Sequence, residues 1–300
     1  MNAPPPTNPT PQGDIAVVAR LIDLLDLEPL EVDLFRGISQ DGGWQRVYGG
    51  QVVAQALMAA SRTVPPERLA HSLHAYFLRP GDPRAPIVYR VERDRDGKSF
   101  STRRVIAVQH GRPIFNLAAS FQVEETGLTH EAALPVTVQP EELPSELSLF
   151  ELNAARMTPE RRVAWLRRER PFEFRPVEDV DWFDPKPLAP IAHHWFRPVA
   201  PVAVDPVMAR CLLAYASDMT LLDTCMMPHG IAWHDPALQV ASLDHALWFH
   251  RTPDFGDWLL SAQDSPAAGG GRGMNRGLIF ARDGQMVATS MQEGLIRYHR

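Results

Sequence analysis

Three polar residues, Asp218, Ser242 and Gln292, form a set that could work together, and Asp218 occupies a position where a buried core is expected. In the helical stretch Pro206 to Met226, Cys211, Tyr215, Asp218 and Leu222 recur at i, i+4, i+7 and i+11, so Asp218 falls on the apolar stripe. A carboxylate there is costly to desolvate. It either caps a break in the helix near Ala216-Ser217-Asp218 or works as a base, because burial raises a carboxyl pKa toward neutrality and lets it take a proton from water. In the strand that follows, alternation puts Val240, Ser242, Asp244 and Ala246 on one face and Ala241, Leu243 and His245 on the other. Ser242 and His245 then point opposite ways, which argues against a Ser-His dyad, and no Gly-x-Ser-x-Gly elbow occurs. His193-His194 on a strand must also diverge, and no metal site is expected. Gly97-Lys98-Ser99 lacks the earlier glycine of a P-loop and reads as a hairpin turn, and Gly269 to Gly273 reads as a flexible loop.

The elements that must position these groups come in two copies. Leu73 to Pro80 is echoed by Asp244 to Arg251, the histidines being offset by 245 − 74 = 171, and Ala119 to Gln122 is echoed by Thr289 to Gln292, offset by 292 − 122 = 170. Two similar offsets at separate places indicate a duplicated unit. Each copy reads as a helix followed by strands: Gln51 to Ser61, with Gly49-Gly50 at its start, precedes strands at His71 to Leu78, Ile87 to Glu92, Ser99 to Val108 and Ile114 to Val123. In the second copy strands are expected at Phe172 to Val177 and His193 to Arg197, then, after the helix, at Gln239 to His250, Trp258 to Gln263, Arg276 to Arg282 and Met286 to Tyr298. The fold class is α+β, with residues 14–124 as one unit, 125–170 as a proline- and arginine-rich linker and 171–300 as the second unit. Subtracting the offset places His71 opposite Ser242 and Tyr48-Gly49 opposite Asp218. Only Gln292 retains its type, as Gln122, so the second copy is expected to carry the site.

Composition narrows the partners. A net charge of −6 leaves no general field for nucleic acid or an anionic membrane, and no apolar run reaches the roughly 20 residues of a membrane span. Cys211 and Cys225 are too few for a disulfide framework. Residues 1–13 read as a disordered tail without signal-peptide character, and Tyr298-His299-Arg300 is not a peroxisomal address. A cytoplasmic protein is expected.

Six separated blocks then resemble one family. Phe35-Arg36-Gly37, Tyr48 to Ala56, His74 to Asp82, Tyr215 to Asp218, Asp244 to Arg251 and Gln292-Glu293-Gly294 are similar, in order, to the acyl-CoA thioesterase II (TesB-type) family. The resemblance implies a double hotdog, two tandem units each with a long helix wrapped by a twisted antiparallel sheet. It also implies hydrolysis of fatty acyl-CoA to fatty acid and CoA, with Asp218, Ser242 and Gln292 holding and activating the water. No cofactor is implied beyond the CoA of the substrate, and a homo-oligomer is expected. For the oxyanion the start of the Gly49-Gly50 helix is the candidate, and for the CoA phosphates the surface cations Arg79, Arg103, Arg104, Arg272 and Arg276. A hotdog enoyl-CoA hydratase and a non-catalytic acyl-CoA binding protein are the alternatives, although the Gly-Asp-x-Asn-Pro-x-His pattern of the former is absent.

Overall fold

The structure is a computed structural model that describes residues 12–39 and 45–299. The tail expected over 1–13 lies outside the described residues as far as residue 11. Helix α1 (Gln12–Leu25) is followed by β1 (Glu28–Glu31), β2 (Leu34–Gly37), α2 (Gly49–Ser61), β3 (Arg68–Phe77), β4 (Ile87–Asp96), β5 (Phe100–Gln109) and β6 (Arg112–Val123). The connecting segment carries α3 (Glu146–Asn153) and α4 (Pro159–Arg167). Beyond it come β7 (Phe172–Pro176), β8 (Ile191–Pro198), α5 (Pro206–Ser217), a 3-10 helix Leu221–His229, β9 (Leu238–Ser242), β10 (Asp244–Phe249), β11 (Leu259–Gly269), β12 (Arg272–Ala281) and β13 (Met286–Tyr298).

All strands join one antiparallel sheet in the order β1-β2-β4-β5-β6-β3-β10-β13-β12-β11-β8-β7, with β9 pairing β13. The run β2-β4-β5-β6-β3 is mirrored by β8-β11-β12-β13-β10, and the halves meet where β3 pairs with β10, Ala75 opposite His245. This is the double hotdog. Each helix is buried on every side, α2 from Gly50 to Ala60 and α5 from Met208 to Ser217, because one flank meets the wrapping sheet and the other meets its partner helix. The alanines of α2 permit that approach, and side chains from both units merge in one core that includes Val53, Leu57, Leu73, Leu213 and Leu247.

The echoes in sequence miss the structural repeat by one residue and by three: Leu78 and Arg79 N–H both donate to Ile114 O as His250 and Arg251 do to Val287 O, so the offsets are 250 − 78 = 172 and 287 − 114 = 173. His74 is exposed whereas His245 is buried, and Gln122 is half-buried whereas Gln292 is fully buried. A one-residue slip in a strand reverses the face, so the echoed residues are not structural counterparts. The offset also fails for the helices, where it is 206 − 49 = 157 at their starts and 218 − 62 = 156 at their C-caps. The residue at the end of α2 matching Asp218 is therefore Arg62, each being the C-cap of its helix, and not Tyr48 or Gly49. Two further expectations are corrected. The helix expected to run from Pro206 to Met226 stops at Ser217 and resumes as the 3-10 segment. The glycine run is no loose loop: Gly270 and Gly271, at φ 58° and 75°, form a two-residue hairpin between β11 and β12, where a left-handed backbone matches the strand twist.

Candidate active site

The break after Ser217 puts Asp218 at the C-terminus of α5, with a side chain only 4% exposed. Its carboxylate accepts hydrogen bonds from the side chains of Gln292 and Ser242 and from the backbone N–H of Gly50. Desolvation outweighs these donors and pushes the carboxyl up to about 6. Gln292 comes from the buried face of β13 and Ser242 from the end of β9.

The expected divergence of Ser242 and His245 does not occur. Ser242 sits opposite Gly294 and Ala246 opposite Met291, so 246 − 242 = 4 steps on one strand face 294 − 291 = 3 on the other. That extra residue is a β-bulge at Leu243, and it reverses the alternation. Ser242 and His245 are both turned inward, and His245 Nδ1 lies 4.0 Å from Asp218 Oδ1. A pattern of strict alternation could not reveal this, because the bulge is set by pairing with β13 and β3: Leu243 N–H donates to Glu293 O (2.9 Å), and Leu243 O accepts from Phe77 N–H (2.9 Å).

His245 is a further neighbour of the Asp218 carboxylate, outside the trio named from the sequence. It is fully buried, and desolvation drives its pKa down to about 4, so the ring is neutral. Ser217 Oγ donates to Ala214 O (3.0 Å) and lies 2.9 Å from His245 Nε2, so Nε2 carries the proton and donates to Ser217. Nδ1 then accepts from Gln292 Nε2 at 3.4 Å, while the other amide hydrogen of Gln292 goes to Asp218. This chain of donors fixes the direction of the Gln292 amide and through it the Asp218 carboxylate.

The two helix starts explain why only one end of the helix pair holds such a site. At α5 the Asp205 carboxylate accepts from Val207 N–H (2.8 Å) and Met208 N–H (2.9 Å), and Pro206 has no N–H to offer. Helix α2 has no side-chain cap from Tyr48, so its first amides stay available, and Gly50 N–H turns to Asp218 of the other unit. The glycine pair has two separate reasons. A Cβ on Gly50 would collide with the Tyr215 carbonyl and the Tyr48 ring, which makes Gly50 a requirement of helix packing. On Gly49 a Cβ would lie 2.7 Å from Asp218 Oδ2 and 3.1 Å from the Phe77 ring, so the missing side chain keeps free the space beside that oxygen.

Residues 165–295 match the acyl-CoA thioesterase family and residues 40–122 the acyl-CoA thioesterase N-terminal domain. The chain is 42% identical over 282 residues to acyl-CoA thioesterase 2 of Haemophilus influenzae, covering 94% of this chain and 98% of that protein. The chain belongs to the acyl-CoA thioesterase family. Acyl-coenzyme A thioesterase 8 of Homo sapiens is 38% identical, over 96% of this chain and 91% of that one. Among solved structures, acyl-CoA thioesterase II TesB2 from Mycobacterium marinum superposes with a TM-score of 0.77 at 44% identity, covering 93% and 98% of the two chains.

The five arginines expected for the CoA phosphates each have a partner within the thioesterase. Arg103 is buried, with Nη2 on Asp96 (2.7 Å) and Nε on Thr63 (2.8 Å). Arg104 pairs with Glu92, Arg272 with Glu293 (2.9 Å) and Arg276 with Asp264 (3.0 Å), while Arg79 donates to Pro113 O (2.6 Å). Short cross-strand and turn partners of this kind cannot be read from composition. Beside the site of this thioesterase, Tyr48, Tyr215 and Met219 instead form part of the wall of a cavity of about 450 Å³.

Proposed function

We propose that the protein hydrolyses acyl-CoA thioesters to the carboxylic acid and CoA, with Asp218 as general base. Asp218 Oδ2 takes a proton from water as the water oxygen adds to the thioester carbonyl. The carbon–sulfur bond then breaks, and the CoA sulfur leaves with the proton that Asp218 returns. Gln292, Ser242 and Gly50 hold the carboxylate, and the start of α2, with the Gly49 amide, faces the developing oxyanion. The observation that carries this reading is a buried carboxylate raised to about 6, held by three donors and left open on the Gly49 side. A base with that pKa is mostly ionised at neutral pH and still accepts a proton readily.

The supporting network belongs to 171–300, with 14–124 supplying the helix start and 125–170 the connection. A neutral His245 donating to Ser217 gives no support to a hydratase-type acid–base pair. The outer edges of β1 and β7, without a strand partner among the described residues, support further assembly into a homo-oligomer, and the two buried free cysteines support a reducing compartment such as the cytoplasm. Release of free thiol from short to long acyl-CoAs, wild type beside Asp218→Asn, tests the reading. Turnover should fall about a hundredfold or more in the variant. A folded Asp218→Asn protein that keeps its turnover would remove Asp218 from the mechanism.

A further inference from the structure

The cavity beside Asp218 has an unexpected charge. Its wall includes five arginines, Arg20 of α1, Arg46, and Arg167, Arg168 and Arg170 at the end of α4 and just beyond it, against two carboxylates, Glu146 and Glu169. Five minus two leaves three positive charges in a protein whose net charge is −6. Arg20 is held by Glu169 at 2.6 Å, and Arg170 reaches Glu146 only at 3.8 Å while its guanidinium stacks on the Trp165 ring. Arg46 uses one nitrogen on Val240 O (3.0 Å), and Arg167 enters no ion pair among the described residues. Desolvation lowers the pKa of Arg168 and Arg170 and raises that of Glu146.

We propose that this cavity seats the phosphate groups of the CoA moiety, with Arg46 and Arg167 as direct phosphate ligands supported by Arg168 and Arg170. The cavity wall joins two chemistries: Tyr48 and Met219, next in sequence to Gly49 and Asp218, and the arginine cluster. A ligand that fills it carries its reactive carbonyl at one end and several negative charges at the other. An acyl thioester of a phosphorylated nucleotide has that form, and guanidinium groups match phosphate oxygens in pairs. The connecting segment between the two units therefore serves as the recognition element for the carrier, while the sheet and helices supply the chemistry.

This inference rests on the thioesterase reading, and the test separates the two. The double variant Arg46→Gln/Arg167→Gln removes two exposed side chains and should leave the fold intact, checked by its melting temperature. Hydrolysis of octanoyl-CoA is compared with that of octanoyl-N-acetylcysteamine, which has the thioester but no phosphate. The ratio of kcat/KM values should fall at least tenfold per arginine, through KM, since a hydrogen bond to a charged group contributes about that much. Arg167→Lys should recover part of the loss, and the wild-type KM for octanoyl-CoA should rise with salt. An unchanged ratio in the double variant overturns the proposal while leaving the hydrolase reading in place. Calorimetric binding of free CoA supplies the converse. Wild-type protein that binds CoA at least tenfold more tightly than the double variant, yet hydrolyses neither thioester, upholds the phosphate site and sinks the hydrolase reading.

Discussion

Gly49→Ala isolates the space beside Asp218 Oδ2 from every other property of the site. The added methyl carbon would sit 2.7 Å from Oδ2, whereas ordinary contact begins near 3.4 Å, so about 3.4 − 2.7 = 0.7 Å must be found. Asp218 cannot yield this without loosening its bonds to Gln292, Ser242 or Gly50, each worth about 1.5–3 kcal/mol as a hydrogen bond to a charged group. Yielding on the other side is blocked as well. The Phe77 ring, 3.1 Å away, packs against Phe115 at 5.2 Å, and its backbone is tied to Leu243. Helix propensity works in favour of alanine by up to about 1 kcal/mol, and Gly49 has no left-handed backbone that alanine would strain. The variant is thus expected to fold with a displaced base. Displacements near 1 Å cost about a hundredfold, so kcat at saturating acyl-CoA should fall about ten- to hundredfold, with the melting temperature within a few degrees of wild type. Thiol release measured alongside thermal unfolding checks this. A folded Gly49→Ala enzyme with wild-type kcat would refute the claim that water and thioester meet Asp218 on that side.

Activity should rise with pH through about 6 and level off above it, because only the ionised Asp218 accepts a proton; a kcat/KM profile that is flat from pH 5 to 8 would contradict this. Ser242→Ala removes a donor that lowers the Asp218 pKa, so the acid limb of the same profile should move to higher pH by about one unit. The folded carboxyl stands above its unfolded value of 3.8, so the native state binds more protons between pH 4 and 6 and stability is lost as pH rises through that window. Asp218→Asn should abolish this dependence and stabilise the protein at pH 7 by up to about 3 kcal/mol, measured by denaturant unfolding. Gly50→Ala should instead destabilise the whole chain, because its Cβ collides with the Tyr215 carbonyl; a melting temperature equal to that of wild type would refute the packing role.

The duplicated architecture was legible, and Asp218, Ser242 and Gln292 stood out as candidates, because hydrophobic period, turn residues and family blocks are local in sequence. What escaped was set by long-range pairing. The bulge at Leu243 that turns His245 toward Asp218 exists only through the register with β13. The roles of Arg104, Arg272 and Arg276 depended on carboxylates that face them in space, Glu92, Glu293 and Asp264. Strands β1 and β2 are four residues each, too short for periodicity to announce. Arg46 and Arg167, 121 positions apart, become neighbours of one cavity only when the chain between the units folds back.

The uncapped start of α2 has a consequence for synthesis. Gly50 leaves the ribosome 168 residues before Asp218, so for most of translation helix α2 lacks the carboxylate that meets its amides. An unfilled N-cap weakens a helix by about 1 kcal/mol, which leaves the early half fraying until the late half arrives. Stability and competence therefore arrive in the same docking event, and a nascent or truncated chain holds no site able to attack the cell's thioesters. Separately produced halves should be inert alone and regain hydrolysis only on mixing.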